Sequence, residues 1–271
     1  MKTIDPILTI YFSATGNTKY IAEMFSRKME AKCLSIETEA TDDLKNELKS
    51  HNTIAFCYPI YGSRAPRIMR EFVAKHKGDI EGKKIIILVT QVLFSGDGAR
   101  VFTDMFNKGA IEVIYAEHFR MPNNVCNIPL LRKPSKRTIQ RYITRAEAKM
   151  SRTTQNIKEG KIIKRGFSRF SKLIGNIQGQ PWQGNTRAEI HKQGRLRTME
   201  QRAKTGVRIR KECNACGLCV NICPMKNLEN HNSKIVQKNN CIICYRCVNQ
   251  CPRKAITVLF HIRPKWQYDG I

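Results

Sequence analysis

The sequence predicts an α/β protein: a doubly wound, five-stranded parallel sheet, followed by a basic, mainly helical segment and a small α+β domain. Three observations carry that expectation. Apolar runs near residues 4–12, 33–36, 53–58, 84–90 and 111–119 alternate with amphipathic stretches near 17–30, 41–50, 65–77 and 98–108. Five such steps call for a parallel sheet covered on both faces. Positive charge crowds into residues 130–211, and one cysteine spacing occurs twice in the last quarter of the chain. The expected divisions are 1–158, 159–205 and 206–271.

The first strand leads into Ser13-Ala-Thr15-Gly16-Asn17-Thr18, and a helical stretch follows from Lys19 to Glu30. A strand, a short hydroxyl- and glycine-rich loop and a helix N-terminus aim backbone N–H groups and hydroxyls at an anion. The loop lacks both the G-x-x-x-x-G-K-[ST] and the G-x-G-x-x-G spacing, so neither common nucleotide motif applies. It resembles the phosphate loop of flavodoxins, which binds the FMN phosphate without a cationic side chain, and Ser13, Thr15, Gly16, Asn17 and Thr18 match that motif in turn.

Two later loops strengthen the resemblance. After the strand Thr53–Cys57 comes Tyr58-Pro59-Ile60-Tyr61-Gly62-Ser63-Arg64-Ala65-Pro66. It is similar to the second flavin loop, in which Tyr61 would lie on the isoalloxazine, Pro59 and Gly62 would shape the approach, and Pro66 would open the next helix. After the strand Lys84–Thr90 comes Gln91-Val-Leu-Phe94-Ser95-Gly96-Asp97-Gly98. It resembles the third loop, and Phe94, Ser95, Gly96 and Gly98 are its expected flavin contacts. Loops at the C-terminal ends of successive strands are where open α/β sheets bind ligands. The resemblance also implies the strand order 2-1-3-4-5. Cys33 and Cys57 sit on apolar strands and read as core thiols. Pro134 and Ser135 can open a covering helix that runs to about Asn156.

The middle of the chain is basic. Residues 130–211 hold 23 Lys or Arg against Glu147, Glu159, Glu189 and Glu200, which puts +19 of the net +26 there. Ile139, Tyr142, Ile143, Phe167, Phe170, Leu173 and Ile174 recur through it, so it reads as packed helix, with a loop at Gly175–Asn185. Three readings of the charge stay open: a solvated face, a docking surface for an acidic ferredoxin or other acidic redox partner, and contact with nucleic acid or an anionic membrane. No run of 18 apolar residues suggests a membrane span. The six histidines fall in unrelated segments and form no metal or nucleophile constellation.

The C-terminal part reads Cys213-Asn-Ala-Cys216-Gly-Leu-Cys219-Val-Asn-Ile-Cys223-Pro224, then Cys241-Ile-Ile-Cys244-Tyr-Arg-Cys247-Val-Asn-Gln-Cys251-Pro252. Both copies follow C-x2-C-x2-C-x3-C-P, the spacing with which bacterial ferredoxins hold iron–sulfur cubanes. Zinc sites usually pair two Cys-x2-Cys units across a longer gap, and disulfides suit exported proteins, whereas the N-terminus here shows no apolar signal region. In that ferredoxin pattern the fourth cysteine of each run serves the other cluster. Cys213, Cys216, Cys219 and Cys251 would then hold one 4Fe–4S cluster, and Cys241, Cys244, Cys247 and Cys223 the second. Val207 and Ile209 alternate as a strand does, as do Ile256 and Val258, and the two could pair behind the clusters.

With both ends read, the chain resembles the fused flavodoxin–ferredoxin proteins of anaerobic bacteria and archaea. A further match is Met121-Pro-Asn-Asn124, where such fusions carry an element near the flavin. The resemblance implies FMN and two 4Fe–4S clusters, and electron transfer between them as a redox carrier or small oxidoreductase of anaerobic metabolism. A flavin-dependent reductase acting on a small substrate over the FMN, and a nucleic-acid-associated redox protein, are the alternatives. Dense thiolate usage points to a reducing cytoplasm.

Overall fold

A computed structural model of the chain describes residues 5–37, 41–128, 130–183, 199–259 and 261–271. The sheet is assembled from β1 (Ile7–Tyr11), β2 (Lys32–Ser35), β3 (Thr53–Pro59), β4 (Lys84–Gln91) and β5 (Glu112–Arg120). Between and beside them lie α1 (Asn17–Met29), α2 (Thr41–Ser50), α3 (Arg67–Lys75), α4 (Lys77–Ile80) and α5 (Gly98–Thr103). All strands run parallel in the order β2-β1-β3-β4-β5, the order implied by the flavodoxin resemblance. The central strands β3 and β4 are buried almost throughout. Both of their faces are therefore covered, which explains why their sequences run apolar without alternation.

The two faces have separate cores. Ile10, Phe12, Ile54, Phe56, Tyr58, Ile85, Ile87 and Phe102 pack on one side. Ile21, Phe25, Cys57, Ile86, Leu88, Tyr115 and Phe119 pack on the other. Burying each such side chain contributes about 1.5–3 kcal/mol, so the sheet forms a rigid platform whose loops inherit its order. Cys57 is fully buried, as its strand position predicts, and Cys33 lies half-buried at the edge.

The sheet has six strands rather than the expected five. After α6 (Lys136–Lys158), whose Ser135 cap accepts the N–H of Thr138, the chain returns as β6 (Ile163–Lys164) beside β5. Two residues in a cationic stretch carry too little periodicity to announce a strand. The reason they pair is local: Arg165 reaches the buried Glu117 of β5 at 2.8 Å, next to Lys149 of α6 at 2.9 Å.

A second correction concerns the loop expected at Gly175–Asn185. Helix α7 (Arg169–Gln183) continues through most of it, and the rest lies outside the described residues. Gly175 and Gly179, four residues apart, are buried. A side chain at Gly175 would overlap the Asp97 carboxylate, so that glycine serves close packing rather than a turn.

The small domain follows α8 (Met199–Thr205). Its strands β7 (Val207–Ile209) and β10 (Ile256–Val258) pair antiparallel, with Ile256 opposite Ile209 and Val258 opposite Val207. Strands β8 (Leu228–His231) and β9 (Lys234–Gln237) form a second antiparallel pair. Two short helices, α9 (Leu218–Asn221) and α10 (Arg246–Gln250), follow the cysteine loops.

Candidate cofactor sites and the contact between them

The loop after β1 lies at the C-terminal edge of the sheet. Gly16 adopts φ +95°, which an L side chain rarely accepts, and α1 starts immediately after it. The N–H groups of Ala14, Thr15 and Gly16 find no acceptor among the described residues. The Ser13 hydroxyl is buried and likewise unpaired among them. Buried donors without partners cost free energy unless something accepts from them. Such a loop forms a cradle for an anion.

The cradle is braced by neighbouring loops. Thr18 and Thr90 share a hydroxyl hydrogen bond of 2.7 Å beneath it. Asn17 donates to the Pro122 carbonyl at 2.9 Å and accepts from the buried Tyr268 phenol at 2.6 Å. Asn124 donates to the Thr15 hydroxyl at 3.1 Å. A cleft of about 70 Å³ opens beside these groups, lined by Ser13, Thr15, Asn17 and Thr18, by Pro59 and Tyr61, and by Gln91, Met121 and Asn124. Four strand ends thus converge on one depression, which is where such sheets place ligands.

The third loop behaves differently from the other two. Phe94 is 64% exposed. Ser95 is buried and bonded to His118 Nδ1 at 2.5 Å. Gly96 packs against Gly175 of α7, and Gly98 packs against Ile60. None of the four lines the cleft; Thr90, Gln91 and Val92 do so instead. Gly62, with φ +55°, forms the tight turn beside Tyr61 rather than part of the cleft wall. Sequence reasoning had no means to see that α7 would pack onto Gly96 and Asp97.

The eight cysteines of the repeat fall into two groups. Burial, then the proximity of Cys213, Cys251 and Cys216, pushes the Cys219 thiol up to about 11. Burial, then nearby Cys241 and, more weakly, Cys223, pushes Cys244 to about 12. Cys247 is raised as well, by burial and then by Cys244, Cys241, Cys223 and Cys219. Cys223 and Cys251 are therefore each gathered with the other run. Backbone N–H groups point at sulfur in both groups: Ala215 to Cys213 at 3.4 Å, Ala255 to Cys251 at 3.3 Å, Ile243 to Cys241 at 3.3 Å and Asn227 to Cys223 at 3.2 Å. Among the described residues no three His, Cys, Asp or Glu side chains converge tightly enough for a single metal ion.

The second group is packed directly on the cleft. Ile242 and Cys244 belong to the same core as Tyr61 and Phe12. The buried Tyr61 phenol is held well above its ordinary range by burial and then by nearby Cys244. Arg246, between Cys244 and Cys247, fastens the two parts together. It donates to the Ser13 and Ala14 carbonyls at 2.6 and 2.8 Å, and to both oxygens of Glu37 at 2.6 and 2.7 Å. Burial opposes its charge, yet the Glu37 carboxylate prevails and holds the guanidinium above its usual range. Planar bidentate pairing of this kind is what arginine supplies and lysine does not. From α3, Arg67 donates to the carbonyl and side chain of Asn240, both at 2.8 Å, and Arg70 pairs with Glu200. Sequence reading missed Arg246 because its partners lie more than two hundred residues upstream.

Residues 8–128 match the family described as flavodoxin domain, and residues 212–256 match the family described as 4Fe-4S dicluster domain. No curated relative matches the chain. Among solved structures, the chain is similar to the two-electron reduced flavodoxin of Megasphaera elsdenii (18% identity, TM-score 0.37, covering 53% of this chain and 98% of that one). It is also similar to a flavodoxin from the domain Archaea (16%, TM-score 0.35, 55% and 98%). A third is a flavoprotein of Lactobacillus acidophilus in complex with FMN (11%, TM-score 0.36, 42% and 93%). The chain thus carries an N-terminal match to a flavodoxin domain and a C-terminal match to a 4Fe–4S dicluster domain, and together these support an electron-transfer role on FMN and iron–sulfur groups.

Proposed function

We propose that this protein carries electrons between one FMN and two 4Fe–4S clusters within a single chain, as a redox carrier or small oxidoreductase. The observation that carries the reading is the seating of the Cys241–Cys247 loop on the flavin-loop residues, with Arg246 bridging to Ser13, Ala14 and Glu37.

The residues fit the groups they would hold. Ser13, Thr15, Gly16, Asn17 and Thr18 would hold the FMN phosphate, since the loop offers unpaired N–H donors and no cation competes for it. Pro59 and Tyr61 would border the ring, and Gly62 would shape the turn that carries Tyr61. Cys213, Cys216, Cys219 and Cys251 would hold one cluster, and Cys241, Cys244, Cys247 and Cys223 the other. A cubane presents separate iron corners and so suits sulfurs spread more widely than one ion requires. FMN supplies two-electron storage with one-electron exchange, and each cubane supplies one-electron exchange.

What the chain itself contributes is position and environment. Ile242 and Cys244 share a buried core with Tyr61, which lines the cleft. The backbone N–H groups at Cys241 and Cys223 lower the electron density on sulfur, as hydrogen bonds to cluster ligands do. Docking makes the encounter of the two sites intramolecular. A reductase acting on a small substrate would want a cleft walled by the middle segment and Met121–Asn124; Met121, Pro122 and Asn124 do line this cleft, but no described residue of 130–211 does. The carrier reading is favoured for that reason.

Anaerobic purification followed by iron, acid-labile sulfide and flavin analysis tests the proposal. About two cubanes and about one FMN per chain are expected from eight ligands and one phosphate loop. Zinc in place of iron, or FAD in place of FMN, would overturn it.

A further inference from the structure

The structure points to a second surface that neither cofactor site uses: we propose that α7, with the loop it covers, docks the protein on an anionic lipid surface. Helix α7 is turned opposite to the usual sense. Its buried face is made by Gly175 and Gly179, which lie four residues apart and so on one side of the helix. Gly175 lies so close to Gly96 and Asp97 that no side chain would fit. Phe170, Leu173 and Ile177, spaced i, i+3 and i+7, point the other way and are 69%, 57% and 66% exposed. A surface helix normally buries such a stripe. The adjoining loop adds Leu93 and Phe94, both exposed, three and two residues before the Gly96 that touches α7.

The charge around this ridge selects its occupant. Residues 160–183 contain Lys161, Lys164, Arg165, Arg169 and Lys172 and no Asp or Glu. Arg169 and Lys172 are exposed on α7 itself, and the exposed Ile162 sits among the cations before it. A protruding apolar stripe with the exposed cations Lys164, Arg169 and Lys172 on its shoulder is the chemistry of a helix lying in a membrane interface, where apolar groups enter the acyl boundary and Lys and Arg meet anionic headgroups. A protein interface of this size would instead present a depleted charge at its centre and a mixed-sign polar rim. No helix among the described residues is long and apolar enough to cross a membrane, so the contact would be peripheral.

The test is cosedimentation of the cofactor-loaded protein with vesicles of about 30% phosphatidylglycerol in phosphatidylcholine, compared with pure phosphatidylcholine. The expected result is pelleting on the anionic vesicles alone, weakened by 0.5 M salt, since screening shortens the reach of headgroup charge to a few ångströms. Phe170→Gln, Leu173→Gln and Ile177→Gln together should lower the apparent affinity at least ten-fold while flavin and iron contents stay those of the unaltered protein. Arg169→Glu with Lys172→Glu should act in the same direction. Absence of pelleting on anionic vesicles, or pelleting indifferent to the triple substitution, would overturn the proposal. So would a dimer in light scattering that the triple substitution dissolves, because the ridge would then be a self-association surface.

Discussion

The two cysteine runs share one spacing but occupy opposite environments. The group of Cys241, Cys244, Cys247 and Cys223 is largely buried against the flavodoxin domain, and its loop contributes Ile242 and Cys244 to that domain's core. In the group of Cys213, Cys216, Cys219 and Cys251, Cys219 and Cys251 are buried in a separate core with Val207, Val248 and Ile256, and Cys216 is exposed. Repeat symmetry therefore fixes the ligand geometry, while docking decides which group serves the interior and which meets the solvent. On the proposed function the Cys241 group would exchange electrons with the flavin and the Cys213 group with an external partner.

The largest expected effect comes from breaking one group only. Cys251→Ser should remove the cluster held with Cys213, Cys216 and Cys219 and halve the iron content, leaving the flavin-side cluster intact. Paramagnetic resonance of the reduced protein distinguishes that outcome from damage to the group nearer in sequence. Loss of the Cys241 group instead would break the assignment.

Next in size is the fastening between the parts. Arg246→Ala leaves Glu37 partly buried without its partner, and breaking such a pair costs about 3–5 kcal/mol. Lowered thermal stability and slower flavin–cluster equilibration should appear together, with both clusters still assembled. Arg246→Lys should recover only part of either, since one ammonium cannot reach the Glu37 fork and the Ser13 and Ala14 carbonyls at once. Equilibration unchanged in Arg246→Ala would show that the contact does not matter for transfer.

These contrasts also show what the chain made legible. The cysteine spacing and the Ser13–Thr18 loop are local, because each needs consecutive residues in one conformation, and both could be read directly. The order of the five strands came with the resemblance those loops carry. Contacts distant in sequence were not legible. Arg246 looked like any residue between two ligands, Asn17 gave no sign of bracing Pro122 and Tyr268, and nothing in residues 94–98 announced that Gly96 and Asp97 would pack against α7. Gly175 resembled a loop signal for the same reason: a glycine required for close packing and one required for a turn are written alike.

Smaller effects sharpen the flavin side. Thr15→Ala should weaken FMN binding about five-fold, the value of roughly one hydrogen bond. Thr18→Ala should do somewhat less directly, because its hydroxyl is already engaged with Thr90. Fluorescence titration of released flavin reads both, and unchanged affinity in the pair would mean the phosphate lies elsewhere.

The smallest effect lies behind the third loop. His118 is buried neutral, its pKa lowered to about 3 by burial and then by Lys149 and Arg165. The unfolded chain binds a proton near pH 6.5 that the folded chain refuses, so this residue's contribution is complete above pH 6.5 and is lost as pH falls toward 3. Between pH 7.5 and 5.5 the loss is at most about 1.4 kcal/mol. Denaturation of His118→Gln against pH should show a shallower slope over that window.

The central claim is that the docked contact makes flavin–cluster exchange internal. Stopped-flow reduction by an acidic ferredoxin, followed at flavin and cluster wavelengths over a range of protein and salt concentrations, tests it most directly. Reduction of the outer cluster should slow steeply with salt, as steering by exposed Lys and Arg does. The later flavin–cluster equilibration should be first order, with a rate that neither salt nor protein concentration alters. An equilibration rate that rises in proportion to protein concentration, or falls with salt alongside the first step, would contradict the account.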